Sequence, residues 1–173
     1  MTGEPSTTWP LPRFTANDSF AELHRWTDRT STFDAKLAER VRTLIEQPAR
    51  ALADAPEPAH TIVHRDFHDK QVHVSNEGRP GLLDFDTLST GDPALDVGNF
   101  LAHLELRRIQ GRVSADDAAQ ACEAFLCAYA PDRDVHSRSR VYRSMTLLRL
   151  CCVYAFRTGG SEVSNALLHA ANL

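Results

Sequence analysis

The chain has 173 residues and a mass of 19.2 kDa, a length that fits one domain with its own hydrophobic core. Apolar residues make up 42% and charged residues 24%, which argues against a disordered or fibrous chain. The net charge of −4 provides no basic field for nucleic acid, and no apolar run reaches membrane-spanning length. We therefore expect neither nucleic acid nor a membrane as a partner.

The first 15 residues are predicted to form an extended arm, because they are polar and contain three prolines. A capping signal at Asn17 or Asp18 predicts the start of a first helix, and Asp34 predicts the start of a second. Pro48 is expected to end or kink the second helix.

The middle of the chain changes from helical to strand patterns. Residues 51–58 are expected to form a connector that leads to a short strand at 61–63. Residues 71–75 alternate in polarity, residues 76–79 have turn chemistry, and residues 80–85 are apolar again. This order predicts a β-hairpin with a glycine-containing turn.

The C-terminal half is predicted to be helical. Asp92-Pro93 opens one helix after a Gly/Ser/Thr loop, and a capping box beginning at Ser114 opens another. A long helix is expected from near Ser137 to Gly159-Gly160, with a short helix after it. In the long helix, the segment Met145–Phe156 is apolar nearly all round. This indicates either a central core helix or a helix face that is normally covered by a missing part.

The chain is predicted to be cytoplasmic, because its first dozen residues lack the basic start and apolar centre of a secretory signal. The four cysteines form no Cys-x-x-Cys pair, and two of them lie in the most apolar segment. We expect reduced thiols that pack as small apolar side chains.

A segment rich in catalytic and metal-binding residue types lies around the predicted hairpin. It reads His64-Arg65-Asp66-Phe67-His68-Asp69-Lys70-Gln71, then Leu83-Asp84-Phe85-Asp86, then Gly91-Asp92-Pro93-Ala94-Leu95-Asp96. The order and spacing resemble the aminoglycoside phosphotransferase and choline kinase group, relatives of the protein kinases. The resemblance implies an α+β fold: a mostly helical, protein-kinase-like C-terminal lobe over residues 16–173, with a small central hairpin carrying the catalytic and metal loops.

The resemblance also implies a function, the transfer of phosphate from ATP to a hydroxyl of a small molecule with Mg²⁺ as cofactor. The acceptor expected from it is aminoglycoside-like or an amino alcohol. Asp66 is the candidate base for the attacking hydroxyl, while Gln71 and Asp84, at the two ends of the hairpin, are candidate metal ligands. His64 is assigned to the catalytic loop, where holding the loop is favoured over proton transfer.

Several positions depart from the family pattern or have secondary roles. Gln71 stands where the family has Asn, and Asp86 stands where kinases have Gly, which makes Asp86 a further candidate metal or substrate contact. Lys70 is a candidate phosphate-binding residue, with a solvated loop lysine as the alternative. The residues predicted to support the site structurally are His68, Asp92 and Asp96.

Three other interpretations concern charged or metal-binding side chains. A transition-metal site would use His64, His68 and His73 with Asp66. The acidic stretch 80–106, which contains no Lys or Arg before Arg107, favours a metal or cationic-substrate cleft over a solvated face. The arginines of the last long helix are predicted to form a surface with salt bridges, phosphate binding being the alternative; they are Arg138, Arg140, Arg143 and Arg149.

A nucleotide-binding N-terminal lobe is not visible in the sequence. The only two lysines are Lys36, in a helical pattern, and Lys70, and the eight glycines form no Gly-x-Gly-x-x-Gly loop. We therefore expect weak or absent ATP turnover by this chain alone. The alternatives are a truncated or degenerate non-catalytic module, or half of a split enzyme that needs an N-lobe or a second chain as partner.

Overall fold

The computed structural model describes residues 10–172, which form helices around two small strand pairs. The helices are α1 (Ala16–Ser31), α2 (Ala35–Ala53), α3 (Ala94–Ile109), α4 (Ala115–Tyr129), α5 (Arg133–Ala155) and α6 (Ser161–Ala170). The strands are β1 (Thr61–Val63), β2 (Val72–Val74), β3 (Pro80–Leu82) and β4 (Ser89–Gly91), and one turn of 3-10 helix covers Asp69–Gln71. The predicted α+β class, mostly helical with a small hairpin, is confirmed.

Helix α5 is the centre of the core and packs against α1, α2, α3 and α6. The apolar segment that the sequence left with two interpretations is thus a central core helix, in which Leu147, Leu148 and Cys151 are fully buried. Although α5 has 23 residues, no helix described between residues 10 and 172 is long and apolar enough to cross a membrane. The helix begins before Ser137, because the Asp132 carboxylate accepts a hydrogen bond from the Val135 N–H at 2.7 Å.

The first two helices begin at side-chain caps. Thr15, rather than Asn17 or Asp18, caps α1: its hydroxyl accepts from the Asp18 N–H at 3.4 Å, and the Asp18 carboxylate accepts from the Thr15 N–H at 2.8 Å. Asp34 caps α2 as predicted, accepting from the Leu37 N–H at 2.9 Å. Pro48 does not end α2, which continues to Ala53 and so includes the first residues of the predicted connector. The Pro48 side chain is buried in the core.

Two antiparallel strand pairs build the β element. The predicted hairpin is present, with Val72 opposite Leu82 and Val74 opposite Pro80. Strand β1 is also where the sequence predicted it, but its partner β4 was interpreted as a loop. Ser-Thr-Gly carries no strand pattern of its own, so β4 is defined by its pairing with β1.

The described part of the predicted N-terminal arm runs beside β4. The Phe14 N–H donates to the Thr90 carbonyl at 2.8 Å, and the Thr90 N–H donates to the Pro12 carbonyl at 2.8 Å. Residues 1–9 of the arm lie outside the described residues. The division into an arm over 1–15 and a lobe over 16–173 stays a prediction.

Helices α3 and α5 approach each other closely at Gly98. A Cβ at this position would lie 2.6 Å from the Ser139 carbonyl oxygen, 2.7 Å from the Arg143 nitrogen and 2.7 Å from the Tyr142 Cβ. Two of these atoms are backbone, which cannot move aside without shifting α5. The absence of a side chain at Gly98 therefore sets the distance between the helix that carries the site residues and the core helix.

Gly98→Ala is expected to lower the free energy of unfolding by about 1–3 kcal/mol, because the added methyl group overpacks the α3–α5 contact. The loss should occur even though alanine is the better helix former. Gly81→Ala is the control, since a Cβ there meets no atom within 4 Å. Urea unfolding followed by circular dichroism measures both, and a Gly98→Ala variant as stable as the parent would contradict the close approach.

Candidate active site

The loop after β1 holds Asp66 through an unusual backbone conformation. Arg65 has a φ of 70°, a left-handed conformation that is uncommon for residues with a side chain. The Asp96 carboxylate on α3 accepts hydrogen bonds from the backbone N–H groups of His64 at 2.6 Å and Arg65 at 2.8 Å. Burial raises the pKa of Asp96, although these two donors act to lower it. Asp96 therefore lies in a position to support the loop.

His64 connects this loop to the segment that follows β3. Its Nε2 lies 2.8 Å from the Leu83 carbonyl oxygen, which only accepts, so Nε2 is the protonated nitrogen and donates. The Thr87 hydroxyl donates to the His64 carbonyl at 2.6 Å. Because the Nε2 proton is already engaged, the geometry favours a holding role for His64 over proton transfer.

The two ends of the hairpin bring Asp66, Gln71 and Asp84 together. The Gln71 amide nitrogen donates to the Asp66 carboxylate at 3.3 Å and to the Asp84 carboxylate at 3.1 Å. Gln71 directly precedes β2 and Asp84 follows β3 by two residues, and the Leu83 N–H continues the strand pairing to the Gln71 carbonyl at 2.9 Å. Asp84 has a φ of 63°, a second left-handed residue at the site.

His68 lies beside Asp66 and lowers the pKa of its carboxyl group. The Lys70 N–H donates to His68 Nδ1 at 3.2 Å, which leaves Nε2 as the protonated nitrogen, 3.5 Å from the Asp66 carboxylate. Hydrogen bonding from His68, opposed by burial and assisted by Gln71, lowers the pKa of Asp66 to about 2. Asp66 is therefore ionised at neutral pH and able to accept a proton.

The donor set of this cluster fits a divalent cation. Two carboxylates and one amide converge, and within residues 10–172 no Lys or Arg lies within 4 Å of the Asp66 or Asp84 carboxylate. The Gln71 NH₂ group lies between the two carboxylates, where a cation would otherwise lie. The two carboxylates are hard oxygen donors of the kind that Mg²⁺ prefers, and Gln71 becomes a third when its amide is flipped so that the oxygen, and not the nitrogen, faces them.

Two predicted site residues are not brought into this cluster. Asp86 is exposed, and its carboxylate makes no hydrogen bond or ion pair within the part of the chain that the structure describes. The Lys70 side chain is likewise exposed, and only its backbone N–H takes part in a contact. Their roles in metal and phosphate binding stay predictions.

Helix α3 contacts the loop that carries Asp66 at several positions, of which sequence reasoning found only that of Asp96. Asn99 donates to the Phe67 carbonyl at 2.9 Å, and the His103 ring stacks on the His68 ring with centroids 4.4 Å apart. Arg107 donates twice to the Asp69 carboxylate, at 2.8 and 3.0 Å. The available signal was the spacing of four between Asn99, His103 and Arg107, which places them on one helix face.

The start of α3 is fixed by a buried ion pair. Asp92 accepts from the Ala94 N–H at 3.0 Å, and Arg138 on α5 donates to the same carboxylate at 2.8 and 3.3 Å. The prediction of a surface for the α5 arginines is therefore wrong for Arg138, which is 8% exposed. Arg138 lies on the side of α5 that faces the fold, where its charge is paired with a buried carboxylate.

The alternative metal site is not assembled as predicted. The His64 ring is engaged with the Leu83 carbonyl, and His73 is exposed on the hairpin. A different trio, His68, Asp69 and His103, has potential ligand atoms within 4.8 Å of one another. The Asp69 carboxylate, however, is already paired with the Arg107 guanidinium.

Comparison with known proteins gives two findings. A model of the phosphotransferase enzyme family, APH, matches residues 3–135. The solved structure of a choline/ethanolamine kinase family protein from Mesorhizobium loti superposes with a TM-score of 0.62 at 17% identity, covering 96% of this chain and 55% of that chain. This chain thus spans little more than half the length of that protein, and at such low identity the likeness concerns the fold.

The comparison with curated proteins finds no significant match. The family match and the structural likeness agree with the resemblance inferred from the motifs. The matched region covers well over half of the sequence and includes the loop and the hairpin that carry Asp66, Gln71 and Asp84. The chain therefore belongs to the phosphotransferase enzyme family.

Proposed function

We propose that this protein takes part in the transfer of phosphate from ATP to a hydroxyl group of a small molecule, with Mg²⁺ as cofactor. The observation that supports this most is the convergence of Asp66, Gln71 and Asp84 through hydrogen bonds of 3.1 and 3.3 Å. Family membership supports the same reaction class. The proposed location is the cytoplasm.

Asp66 is the proposed base. The acceptor hydroxyl oxygen attacks the γ-phosphorus of ATP, a new O–P bond forms, and the bond to the bridging oxygen of ADP breaks. The hydroxyl proton passes to the Asp66 carboxylate, which is ionised at neutral pH before the reaction. Gln71 orients that carboxylate through its hydrogen bond, and His68 Nε2 lies 3.5 Å from it.

Gln71 and Asp84 are the proposed metal ligands, with Asp86 and Lys70 as outer candidates for the metal and the phosphates. Bound Mg²⁺ supplies positive charge against the phosphate oxygens of the nucleotide. His64, Asp92 and Asp96 act through the backbone of the loop and of α3, and so keep the donor oxygens in place.

The proposed surface for the nucleotide base lies on the hairpin next to Asp84. Val74, Leu82 and Leu83 are 59%, 44% and 50% exposed there, which is unusual for apolar side chains beside a polar site. In this family such a surface calls for a second layer that covers the nucleotide. We propose that an N-lobe or a second chain provides it, and that the 173-residue chain alone turns over ATP weakly or not at all.

A non-catalytic module that retains the metal site is the second candidate function. It is favoured by the absence of a glycine-rich strand–loop–strand within residues 10–172. The two candidates differ in chemistry rather than in metal binding, so one experiment that measures both separates them.

The test measures Mg²⁺ binding by calorimetry and phosphate transfer from ATP to a panel of alcohols by ³¹P NMR. Asp84→Asn should weaken Mg²⁺ binding at least about tenfold, because it removes a ligand charge. Any transfer should fall by about 10²- to 10⁴-fold in Asp66→Asn, the usual contribution of a positioned base. Asp116→Asn, an exposed carboxylate on α4, is the control and should change neither measurement.

Transfer that survives in Asp66→Asn would contradict the assignment of the base. Mg²⁺ binding with no transfer to any alcohol, even with a nucleotide-binding lobe of a family member added in trans, would favour the non-catalytic module. Absence of Mg²⁺ binding would contradict both candidates.

A further inference from the structure

A cavity of about 280 Å³ opens beside Asp66, between α1, α3 and α5. Its lining includes the side chains of Arg65, Asp66, Asn99 and Arg149. The volume is near the lower limit for small-molecule sites. If Asp66 is the base, this cavity is where an acceptor hydroxyl has to lie.

Two guanidinium groups face this cavity without a carboxylate partner. Within residues 10–172, no carboxylate lies within 4 Å of the Arg149 or Arg65 guanidinium, whereas most other arginines near the site are ion-paired. Arg149 donates to the Asn99 amide oxygen at 3.3 Å, which is a neutral partner. Arg149 is half-buried, so its charge lacks both full hydration and a counter-ion.

Arg149 is also close enough to the catalytic loop for its charge to act there. Its positive charge contributes to the lowered pKa values of Asp66 and His103. A cationic group on the acceptor would therefore be repelled at this end of the cavity, and an anionic group would be attracted. A guanidinium binds carboxylate or phosphate oxygens through paired N–H donors.

The cavity offers little to an amino alcohol. Among residues 10–172, Glu22 is the only carboxylate besides Asp66 that lines it. The face of the Phe14 ring, which is the kind of surface that binds an ammonium group, is already covered by the Arg65 guanidinium at 3.8 Å. The charges of the cavity thus differ from those expected for an aminoglycoside-like or amino-alcohol acceptor.

We propose that the acceptor is a small hydroxy compound with an anionic group, a carboxylate or a phosphate ester, which Arg149 binds while the hydroxyl lies at Asp66. This inference rests on the proposed function for the role of Asp66 only. The anion site at Arg149 stands on the cavity and its charges, and it is testable by binding without turnover.

The experiment measures binding of four probes to the full chain by calorimetry: glycerate, glycerol 3-phosphate, glycerol and ethanolamine. Glycerate or glycerol 3-phosphate should bind, glycerol and ethanolamine should bind at least about tenfold more weakly, and the stronger of the two anions identifies the anionic group. Arg149→Gln should weaken anion binding about 10- to 100-fold, the usual range for a charge-assisted hydrogen bond. Arg140→Gln, an exposed arginine on the same helix, should leave it unchanged.

Arg149→Lys keeps the charge and guards against a folding defect in Arg149→Gln; it should retain part of the anion affinity. Ethanolamine binding more tightly than both anions, anion binding unchanged in Arg149→Gln, or no binding of any probe at 10 mM would each overturn the proposal. Anion binding that depends on Arg149, with no phosphate transfer to the bound compound even when a nucleotide-binding lobe of a family member is added in trans, would instead contradict the proposed function and leave the anion site standing.

Discussion

Arg138→Met is expected to lower the free energy of unfolding by about 3–5 kcal/mol, and with it the melting temperature by roughly 10 °C. The side chains of Arg138 and Asp92 are 9% and 5% exposed. When one of the two charges is removed, the other therefore stays buried without hydration. In the variant, the Asp92 carboxylate would keep the hydrogen bond from the Ala94 N–H but lose both guanidinium donors. The loss measures the cost of an unpaired buried charge rather than the attraction of the pair.

A double-mutant cycle separates these two quantities. Asp92→Asn should cost a similar amount, and the double variant Asp92→Asn/Arg138→Met should cost clearly less than the sum of the two, because no unpaired charge remains. Arg140→Met is the matched control on α5 and should lie within about 0.5 kcal/mol of the parent. Urea unfolding of the four proteins provides the cycle, and a loss below about 1 kcal/mol in Arg138→Met would argue against a buried pair.

The same variant should also affect the site. Asp92 lies at the start of α3, and Asp96, one turn further on, holds the backbone of His64 and Arg65. Because α3 contacts the loop that carries Asp66 at four positions, a less stable start of α3 weakens the support of Asp66. We therefore expect Arg138→Met to weaken Mg²⁺ binding more than its distance from Asp84 suggests.

The cluster of Asp66, Gln71 and Asp84 could be predicted because its chemistry is local in sequence. A loop of eight residues and a hairpin determine where these side chains lie, and the ends of a hairpin meet whatever the rest of the fold does. Residue type, spacing and turn signals were sufficient for that inference. The same locality explains why the caps of α2 and α4 were predicted correctly.

The supporting contacts could not be predicted, because they depend on how helices pack over long sequence separations. The partner of Asp92 is 46 residues away on α5, and that of Asp69 is 38 residues away on α3. Arginines on a helix that is apolar nearly all round resemble surface residues until the helix is known to be central. Strand β4 was missed for a related reason, since Ser89–Gly91 becomes a strand only by pairing with β1.

His103, to which sequence reasoning assigned no role, should make the protein sensitive to mild acid. The side chain is 7% exposed, and within residues 10–172 neither ring nitrogen has a hydrogen-bond partner. Burial, reinforced by the neighbouring His68 and Arg149 and opposed by Asp66 and Asp69, lowers the pKa of His103 to about 3.

The sign of the effect follows from the proton that only the unfolded chain binds. An unfolded histidine takes up a proton below about pH 6.5, whereas folded His103 stays neutral down to about pH 3. The contribution of His103 to the free energy of unfolding is therefore fully present above pH 6.5. Below that pH it falls by up to about 1.4 kcal/mol for each pH unit. At pH 5 the contribution of this one residue is a loss of about 2 kcal/mol relative to pH 8.

His103→Leu isolates this contribution, because leucine has a similar size and no proton to bind. At pH 8 the variant should be as stable as the parent or more stable, since two unpartnered polar atoms are replaced by apolar ones. The difference in free energy of unfolding between the variant and the parent should be about 2 kcal/mol larger at pH 5 than at pH 8, in favour of the variant. Urea unfolding at both pH values measures the difference, with His24→Leu, an exposed histidine on α1, as the control. A difference between variant and parent that does not change with pH would mean that folded His103 accepts a proton as readily as the unfolded chain, and hence that its ring is neither buried nor without partners.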